Sequence, residues 1–155
     1  MIIPDYLVEH FANGYKLKNK RIVLVGGCFD ILHNAHIEFL EKSKQRGDVL
    51  ILLLESDENI KKIKGKERPV NNFEKRANNL EKLNIIDLIV ELSPQVSDKY
   101  YFNLTKLISP DIIALTKNDP LFEKKKAQAN IVGGRIIEVM KRNENFSSTK
   151  LINKI

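Results

Sequence analysis

The fold of this chain follows from residues 21–36, which read RIVLVGGCFDILHNAH. After Arg21 comes an apolar run, IVLV, of the kind that forms a strand buried on both faces of a sheet. A glycine pair follows, and two histidines stand three positions apart where helical spacing begins. The unpaired N–H groups at a helix start attract anions, so a strand, a glycine turn and a helix in this order indicate a phosphate site.

The alternation of strand and helix continues along the rest of the chain. Runs rich in Ile, Leu and Val predict five strands, at residues 21–25, 48–54, 87–91, 111–115 and 135–140. Helical spacing predicts helices between them, at residues 35–45, 73–83, 97–108 and 120–130. Such alternation produces right-handed crossovers, so the expected fold class is α/β, a doubly wound parallel five-stranded sheet. Ligands of these sheets bind outside the carboxyl ends of the strands, where residues 26–36 lie.

Individual residues predict where the helices begin and end. A leading helix over residues 4–11 is expected to stop at Asn13-Gly14, and Gly47 is placed to stop the helix that follows the first strand. Asn34 is a candidate N-cap for that helix. The run Asn118-Asp119-Pro120 predicts the start of the last helix, because a capping residue followed by proline suits a helix N-terminus.

Length and composition are those of one ordinary globular domain. The chain has 155 residues, 43% of them hydrophobic and 30% charged, with one cysteine. We expect a single domain over residues 1–155, in which residues 1–20 form a leading helix and connector. A lone cysteine cannot form an internal disulfide, and the first residues do not read as a secretion signal, so we expect a cytoplasmic protein. The longest apolar run, residues 49–54, is too short to span a membrane.

The chain is basic, with a formal net charge of +6. This charge could attract nucleic acid, an anionic membrane surface or a small phosphorylated substrate. The lysines are spread over three separate clusters without interleaved aromatic residues, which is not the footprint of a nucleic-acid-binding module. RNA binding is therefore the least favoured hypothesis. Most of the lysines are explained as part of a solvated surface.

The residue types after the first strand suit phosphate chemistry. Gly26 and Gly27 would let the backbone approach a polyphosphate closely, and His33 and His36 could converge on one side of the helix start. Imidazoles in this position can donate hydrogen bonds to phosphate oxygens and stabilise the charge that develops during phosphoryl transfer. They could also form a metal site with Asp30, although no nearby residue completes a ligand set. A third interpretation is that the histidines are purely structural. The third glycine of the dinucleotide fingerprint is absent, which disfavours a Rossmann enzyme that binds a nicotinamide or flavin cofactor.

At these residues the chain resembles the nucleotidyltransferases that carry a G-x-F-D-x-x-H-x-x-H motif, the HxGH type, with Ala35 in place of the usual glycine. This family includes the glycerol-3-phosphate and cholinephosphate cytidylyltransferases and the heptose-phosphate adenylyltransferases. The resemblance implies a Rossmann-like nucleotidyltransferase fold and in-line attack on the α-phosphate of a nucleoside triphosphate, with release of pyrophosphate. It also implies nucleotide contacts from this loop, at Gly27, Cys28, Phe29, His33 and His36.

A second motif of the family, R-T-E-G-I-S-T-T, resembles residues 142–149, RNENFSST. It implies further nucleotide contacts from Arg142, Ser147, Ser148 and Thr149.

The basic stretch at residues 64–70, KGKERPV, is similar to the K-G-x-x-R-P-V of the heptose-phosphate adenylyltransferases. The resemblance implies that Lys64 is catalytic and also binds the substrate phosphate, that Arg76 binds the nucleotide and that Arg68 contacts the substrate. The turn at residues 116–119 departs from the family's glycine-rich sequences. It is expected to contact the acceptor, which makes Lys117 a further candidate for substrate binding.

Together these features predict a nucleotidyltransferase that uses Mg²⁺ with ATP or CTP and transfers AMP or CMP to a small phosphorylated sugar or polyol. No metal ligand is assigned to the protein itself. An FMN or pantetheine-phosphate adenylyltransferase is the alternative enzyme, and a non-catalytic nucleotide-binding module is the alternative of another class. A homodimer is expected by analogy with the family, with neither a nucleic acid partner nor a membrane span.

Overall fold

The computed structural model describes residues 1–141, which form one parallel six-stranded sheet in the order β1-β4-β3-β2-β5-β6. The strands are β1 (Ile2–Pro4), β2 (Ile22–Gly27), β3 (Val49–Leu54), β4 (Leu88–Glu91), β5 (Ile112–Lys117) and β6 (Arg135–Lys141). The helices are α1 (Val8–Leu17), α2 (Asn34–Lys44), α3 (Asp57–Lys64), α4 (Phe73–Glu81), α5 (Asp98–Ile108) and α6 (Phe122–Ile131). The predicted α/β fold class is confirmed.

Alternate residues of the central strands face two different cores. One core joins Val23, Val25 and their neighbours to Leu40 of α2 and Leu80 of α4. The other joins the opposite face of the same strands to α1, α5 and α6. Helices therefore cover both faces of the sheet, which explains why the strands read as continuous apolar runs in the sequence.

The sheet has six strands and not the predicted five. The additional strand, β1, pairs in parallel with β4 at the edge of the sheet. It lies in the leading segment, for which only a helix and a connector were predicted. Three residues that end in a proline are too short to show strand periodicity, and an edge position tolerates the missing N–H of Pro4.

Several predicted helix boundaries are wrong. Helix α1 continues through Asn13 and Gly14 to Leu17, and α2 is preceded by His33 as its N-cap, with no side-chain cap from Asn34. The last helix begins two residues later than predicted, at Phe122. Packing of the helices against the sheet outweighs the local preferences of these residues for helix starts and stops.

The glycine at position 47 has a different function from the predicted helix stop. A Cβ atom at Gly47 would lie 2.9 Å from the backbone oxygen of Arg21, so a glycine is required for close packing between two chain segments. Helix α2 has already ended at Lys44.

Aspartates placed just before the strands fix their starting points. The carboxylate of Asp48 accepts a hydrogen bond from the N–H of Arg21, and that of Asp111 accepts one from the N–H of Ile22. Asp87 accepts bonds from the N–H of Leu50 and from Lys44 Nζ. These contacts align the amino ends of the strands, and the opposite edge of the sheet is left for loops.

No helix among residues 1–141 is long and apolar enough to cross a membrane.

Candidate functional site

The loop between β2 and α2 lies at the carboxyl edge of the sheet, where the strand order reverses between β3 on one side of β2 and β5 on the other. Phe29 in this loop has a φ of 45°, a left-handed conformation that is unusual for an aromatic residue and indicates local strain. Its ring lies against Gly27, where a Cβ atom would be only 2.9 Å from Phe29 Cε2. Gly27 thus leaves room for the ring that supports the histidines.

The two motif histidines stack on each other at the start of α2. Their ring centroids are 3.8 Å apart with an interplanar angle of 20°, and the Phe29 ring lies 5.2 Å from that of His36. The structure therefore brings together the two imidazoles that the sequence motif predicts to act on a phosphate.

Both histidines favour the neutral form. Burial lowers the pKa of His33, and burial together with the neighbouring His33 and Lys64 lowers the pKa of His36 to about 4, against a bond to the Ile31 backbone that raises it. A neutral imidazole keeps one N–H donor. Among residues 1–141, Nδ1 of His36 is buried and has no hydrogen-bond partner, so this ring has unused capacity for a ligand.

Asp30, considered above as a metal ligand, instead joins this loop to residues 68–71. One carboxylate oxygen accepts bonds from Arg68 Nε and the N–H of Val70, each at 2.9 Å, and the other accepts the N–H of Asn71. Burial raises the pKa of Asp30, but the bonds from Asn71, Val70 and Arg68 outweigh it and the net pKa is lowered. Asp30 is 1% exposed, so it is a charged clamp between two loops.

The structure places Arg76 in the interior, with its side chain fully buried. Its guanidinium donates to the backbone oxygens of Asn71 and Cys28, at 3.0 and 2.9 Å, and to the Asp57 carboxylate at 2.7 Å. This geometry indicates that Arg76 positions the loop that contains Cys28. Direct nucleotide binding by Arg76 stays a prediction, as does substrate contact by Arg68, which is 6% exposed.

Lys64 is the exposed last residue of α3 and lies near the histidine loop. Its positive charge acts to lower the pKa of both His36 and Cys28. For Cys28, burial is the larger effect and the net pKa is raised. An exposed cation of this kind, close to neutral imidazoles, is suited to contact a phosphate.

A cavity of about 300 Å³ lies on the other side of the β2 loop, between the sheet and helices α5 and α6. Its floor is apolar, and Gly26, Gly27 and Cys28 form the border toward the histidines. The pKa of Cys28 responds to charges on both sides, Glu55 in the cavity and Lys64 outside it. The cavity and the histidine pair are therefore separated only by this loop.

Polar groups on the cavity wall come from elements that the motifs do not include. The Glu55 carboxylate accepts a bond from the Tyr101 hydroxyl at 2.5 Å. At the outer rim, Lys124 pairs with Asp98 at 3.2 Å. The sequence reasoning missed these residues; the one available signal was that Glu55 directly follows a buried strand, at the edge where ligands bind.

The unusual turn after β5 keeps its shape without a glycine. Asn118 has a φ of 64°, and asparagine tolerates this left-handed conformation better than most residues. Asp119 accepts a bond from the N–H of Leu121 and pairs with Lys125 at 3.0 Å. Lys117 is exposed at the end of β5 and does not line the cavity, whereas Lys125 does. A substrate contact by Lys117 remains a prediction.

Arg142, Ser147, Ser148 and Thr149 lie outside the described residues, so their predicted nucleotide contacts stay predictions. Within residues 1–141, no group of three or more His, Cys, Asp or Glu could hold a metal ion.

A parallel sheet with a strained glycine loop, paired neutral imidazoles and an exposed lysine at its carboxyl edge defines an α/β protein equipped to bind phosphates. The model of the cytidylyltransferase-like family matches residues 24–154, and the chain belongs to this family of nucleotidyltransferases.

A named relative agrees with this assignment, and two solved structures of lower identity share the fold alone. The bifunctional protein HldE of Campylobacter jejuni subsp. doylei is 40% identical over 147 residues, 95% of this chain. The chain spans only 30% of the length of that relative. The lipopolysaccharide core biosynthesis protein of Thermoplasma volcanium GSS1 has a similar fold, with a TM-score of 0.65 and 24% identity over 80% of this chain and 99% of its own.

The pantoate-beta-alanine ligase of Francisella tularensis, solved with beta-gamma ATP and beta-alanine, has a TM-score of 0.69 and 16% identity, covering 98% of this chain and 75% of its own. At this identity the likeness shows the fold alone.

Proposed function

We propose that this chain transfers AMP or CMP from a nucleoside triphosphate to a small phosphorylated sugar or polyol. The observation that carries the proposal is the stacked pair of neutral imidazoles at the start of α2, separated by one loop from a cavity of about 300 Å³. The pair is placed for the α-phosphate, and the cavity has room for a small acceptor next to it.

In the proposed reaction, an acceptor phosphate oxygen attacks the α-phosphorus, a new P–O–P linkage forms, and the bond to the β-phosphate breaks to release pyrophosphate. The acceptor phosphate is already a nucleophile at neutral pH, so no general base is needed. We expect the negative charge of a bound triphosphate to raise the pKa of the two imidazoles. Once protonated, His33 and His36 can donate hydrogen bonds to the oxygens on which negative charge builds, and Lys64 neutralises charge from outside the loop.

We propose that Mg²⁺ is bound as part of the nucleotide substrate. Each Asp30 carboxylate oxygen already accepts at least one bond from the protein. The phosphate oxygens and water supply the ligands that this hard cation prefers, so the metal enters with the triphosphate.

ATP with a heptose phosphate is the substrate pair that we favour within this class. The stretch at residues 64–70 resembles that of the heptose-phosphate adenylyltransferases, and the structure uses it to build the Asp30 clamp. CTP with a polyol phosphate is the second pair. We also propose that the chain works in the cytoplasm and without nucleic acid and, by analogy with the family, as a homodimer. Light scattering would test the homodimer, and an RNA filter-binding titration would test the absence of a nucleic acid partner.

The proposal is tested by measuring pyrophosphate release with each of the four nucleoside triphosphates and a panel of acceptors. The panel contains sugar 1-phosphates, polyol phosphates, amino-alcohol phosphates, FMN and phosphopantetheine. We expect release that depends on Mg²⁺ and on a sugar or polyol phosphate. Release only with FMN or phosphopantetheine would support the alternative enzymes, and nucleotide binding without any release would support a non-catalytic module.

A further inference from the structure

One carboxylate on the cavity wall, that of Glu55, has no ion-pair partner in the described part of the chain. The two lysines that line the cavity, Lys124 and Lys125, are each paired with an aspartate instead. Glu55 is half-buried and faces a cavity with a mostly apolar floor. A charge in such a place is costly unless a ligand or a neighbour supplies hydrogen-bond donors.

Two neutral donors hold the carboxylate in a fixed orientation. Nδ2 of the buried Asn59, in the first turn of α3, donates to Oε2 at 2.6 Å, and the Tyr101 hydroxyl donates to Oε1. Burial and this bond raise the pKa of Tyr101, so the phenol remains a donor. Each carboxylate oxygen can accept more than one bond, and neither neighbour cancels the charge. Glu55 is therefore a preorganised acceptor with capacity left for a ligand.

Glu55 lies beside the loop at which the acceptor phosphate must arrive. Its backbone N–H donates to the Gly27 oxygen at 3.1 Å, and its charge acts to raise the pKa of Cys28. A carboxylate repels a phosphate, so the group that it receives must be a hydrogen-bond donor elsewhere on the acceptor. Glu55 is hydrogen-bonded directly to this loop, so the phosphate and the donor must be bound close together. The donor must therefore be close to the phosphate-bearing carbon.

We propose that Glu55 is a specificity-determining residue that accepts a hydrogen bond from an acceptor hydroxyl on the carbon next to the phosphate-bearing carbon. This inference rests on the proposed function, because it assumes that a phosphorylated acceptor occupies the cavity. A deoxy acceptor would leave the half-buried carboxylate without this additional donor, and such unmade charged bonds discriminate more strongly than lost apolar contacts.

The test compares two matched acceptor pairs: mannose 1-phosphate with its 2-deoxy analogue, and glycerol 3-phosphate with propane-1,3-diol phosphate. For the wild type we expect kcat/KM to favour the hydroxylated member by roughly 10- to 100-fold. In Glu55→Gln this preference should fall by about 10-fold or more, with the KM for the nucleotide unchanged. The glutamine oxygen can still accept from Asn59, and its NH₂ group can donate to the Tyr101 hydroxyl oxygen, so we expect the fold to be preserved.

Two further variants complete the design. Glu81→Gln, an exposed carboxylate at the amino edge of the sheet, should keep the wild-type preference. Tyr101→Phe leaves the charge but removes one anchor, so it should reduce the preference less than Glu55→Gln does.

An unchanged preference in Glu55→Gln would overturn the inference and leave the proposed function standing. A wild-type preference for ethanolamine phosphate that disappears in Glu55→Gln would also overturn it, because the carboxylate would then select a cation. If no acceptor supports pyrophosphate release, the proposed function is contradicted, and calorimetric binding of the same four compounds decides the inference. Equal affinities within each pair would overturn it, whereas tighter binding of the hydroxylated members, lost in Glu55→Gln, would support it.

Discussion

The two sides of the β2 loop are built in different ways. The histidine side is held by bonds to charged groups that lie almost wholly inside the protein, with Asp30 and Arg76 tying the loop to residues 68–76. The cavity side is an apolar space with polar residues from three separate elements on its wall and rim. A fixed set of donors suits a reaction common to a whole family, whereas a lining drawn from distant elements can change with the acceptor.

Loss of either motif histidine should have the largest effect on the reaction. We expect His33→Ala and His36→Ala each to lower kcat by roughly 100- to 1,000-fold, because each removes a donor to the developing charge. Steady-state pyrophosphate release measures this. His10→Ala is the matched control, since the third histidine is exposed on α1 and should be dispensable. Intact turnover in both motif variants would show that the histidine side is not the reaction centre.

Replacement of the buried arginine should unfold the chain more easily. Arg76→Met leaves the Asp57 carboxylate and two backbone oxygens without their donor, and we expect the free energy of unfolding to fall by about 3 kcal/mol. Urea denaturation measures it, with the exposed Arg135→Met as control. A loss of activity with unchanged stability would instead identify Arg76 as a direct phosphate ligand.

Acid should destabilise the histidine side. His36 has a pKa of about 4 in the folded chain and about 6.5 when unfolded, so the unfolded state binds the proton more tightly. Stability is therefore complete above pH 6.5 and is lost as the pH falls toward 4, by up to about 3 kcal/mol from this residue. Urea denaturation at several pH values should show a shallower loss for His36→Asn. Parallel curves for the two proteins would contradict the neutral assignment.

Substitutions at the paired glycines should have the smallest effects, and the effects should differ between Gly26 and Gly27. A Cβ atom at position 27 would lie 2.9 Å from the Phe29 ring, whereas one at position 26 would be 3.5 Å from the Leu53 oxygen, an ordinary contact. Gly27→Ala should therefore lower the free energy of unfolding by about 1–3 kcal/mol, and Gly26→Ala should be close to neutral. Thermal denaturation compares them, and equal effects would show that Phe29 is not fixed against Gly27.

The sequence predicts the fold well wherever the signal is local. All five long strands follow from their apolar runs. Strand β1 is too short to show a period, and α3 was missed although Ser56 caps it and Asp57 and Glu58 occupy its first turn. These capping residues were a readable signal, since they are typical of a helix start.

The site is predictable from the sequence only in part, for the same reason. The glycine loop and the two histidines belong to one continuous motif. The contact between Glu55 and Tyr101 joins residues 46 positions apart, and the Asp30 clamp spans 38 to 41 positions. Such contacts depend on the order of the strands and on which helices cover each face, and no short stretch of sequence encodes that. The sequence likewise does not predict that Arg76 is buried, because its position depends on contacts with other parts of the chain and not on its residue type.

We propose that the histidine side joins a nucleotide to a phosphorylated acceptor held in the cavity. Phosphorus NMR of one reaction with ATP, Mg²⁺ and a sugar 1-phosphate tests it directly, because every phosphorus atom is observed. We expect equal amounts of pyrophosphate and of a new P–O–P linked product, with both substrates consumed together. Conversion of ATP to ADP and phosphate with the sugar phosphate intact, or no change in any resonance with any sugar or polyol phosphate, would contradict it.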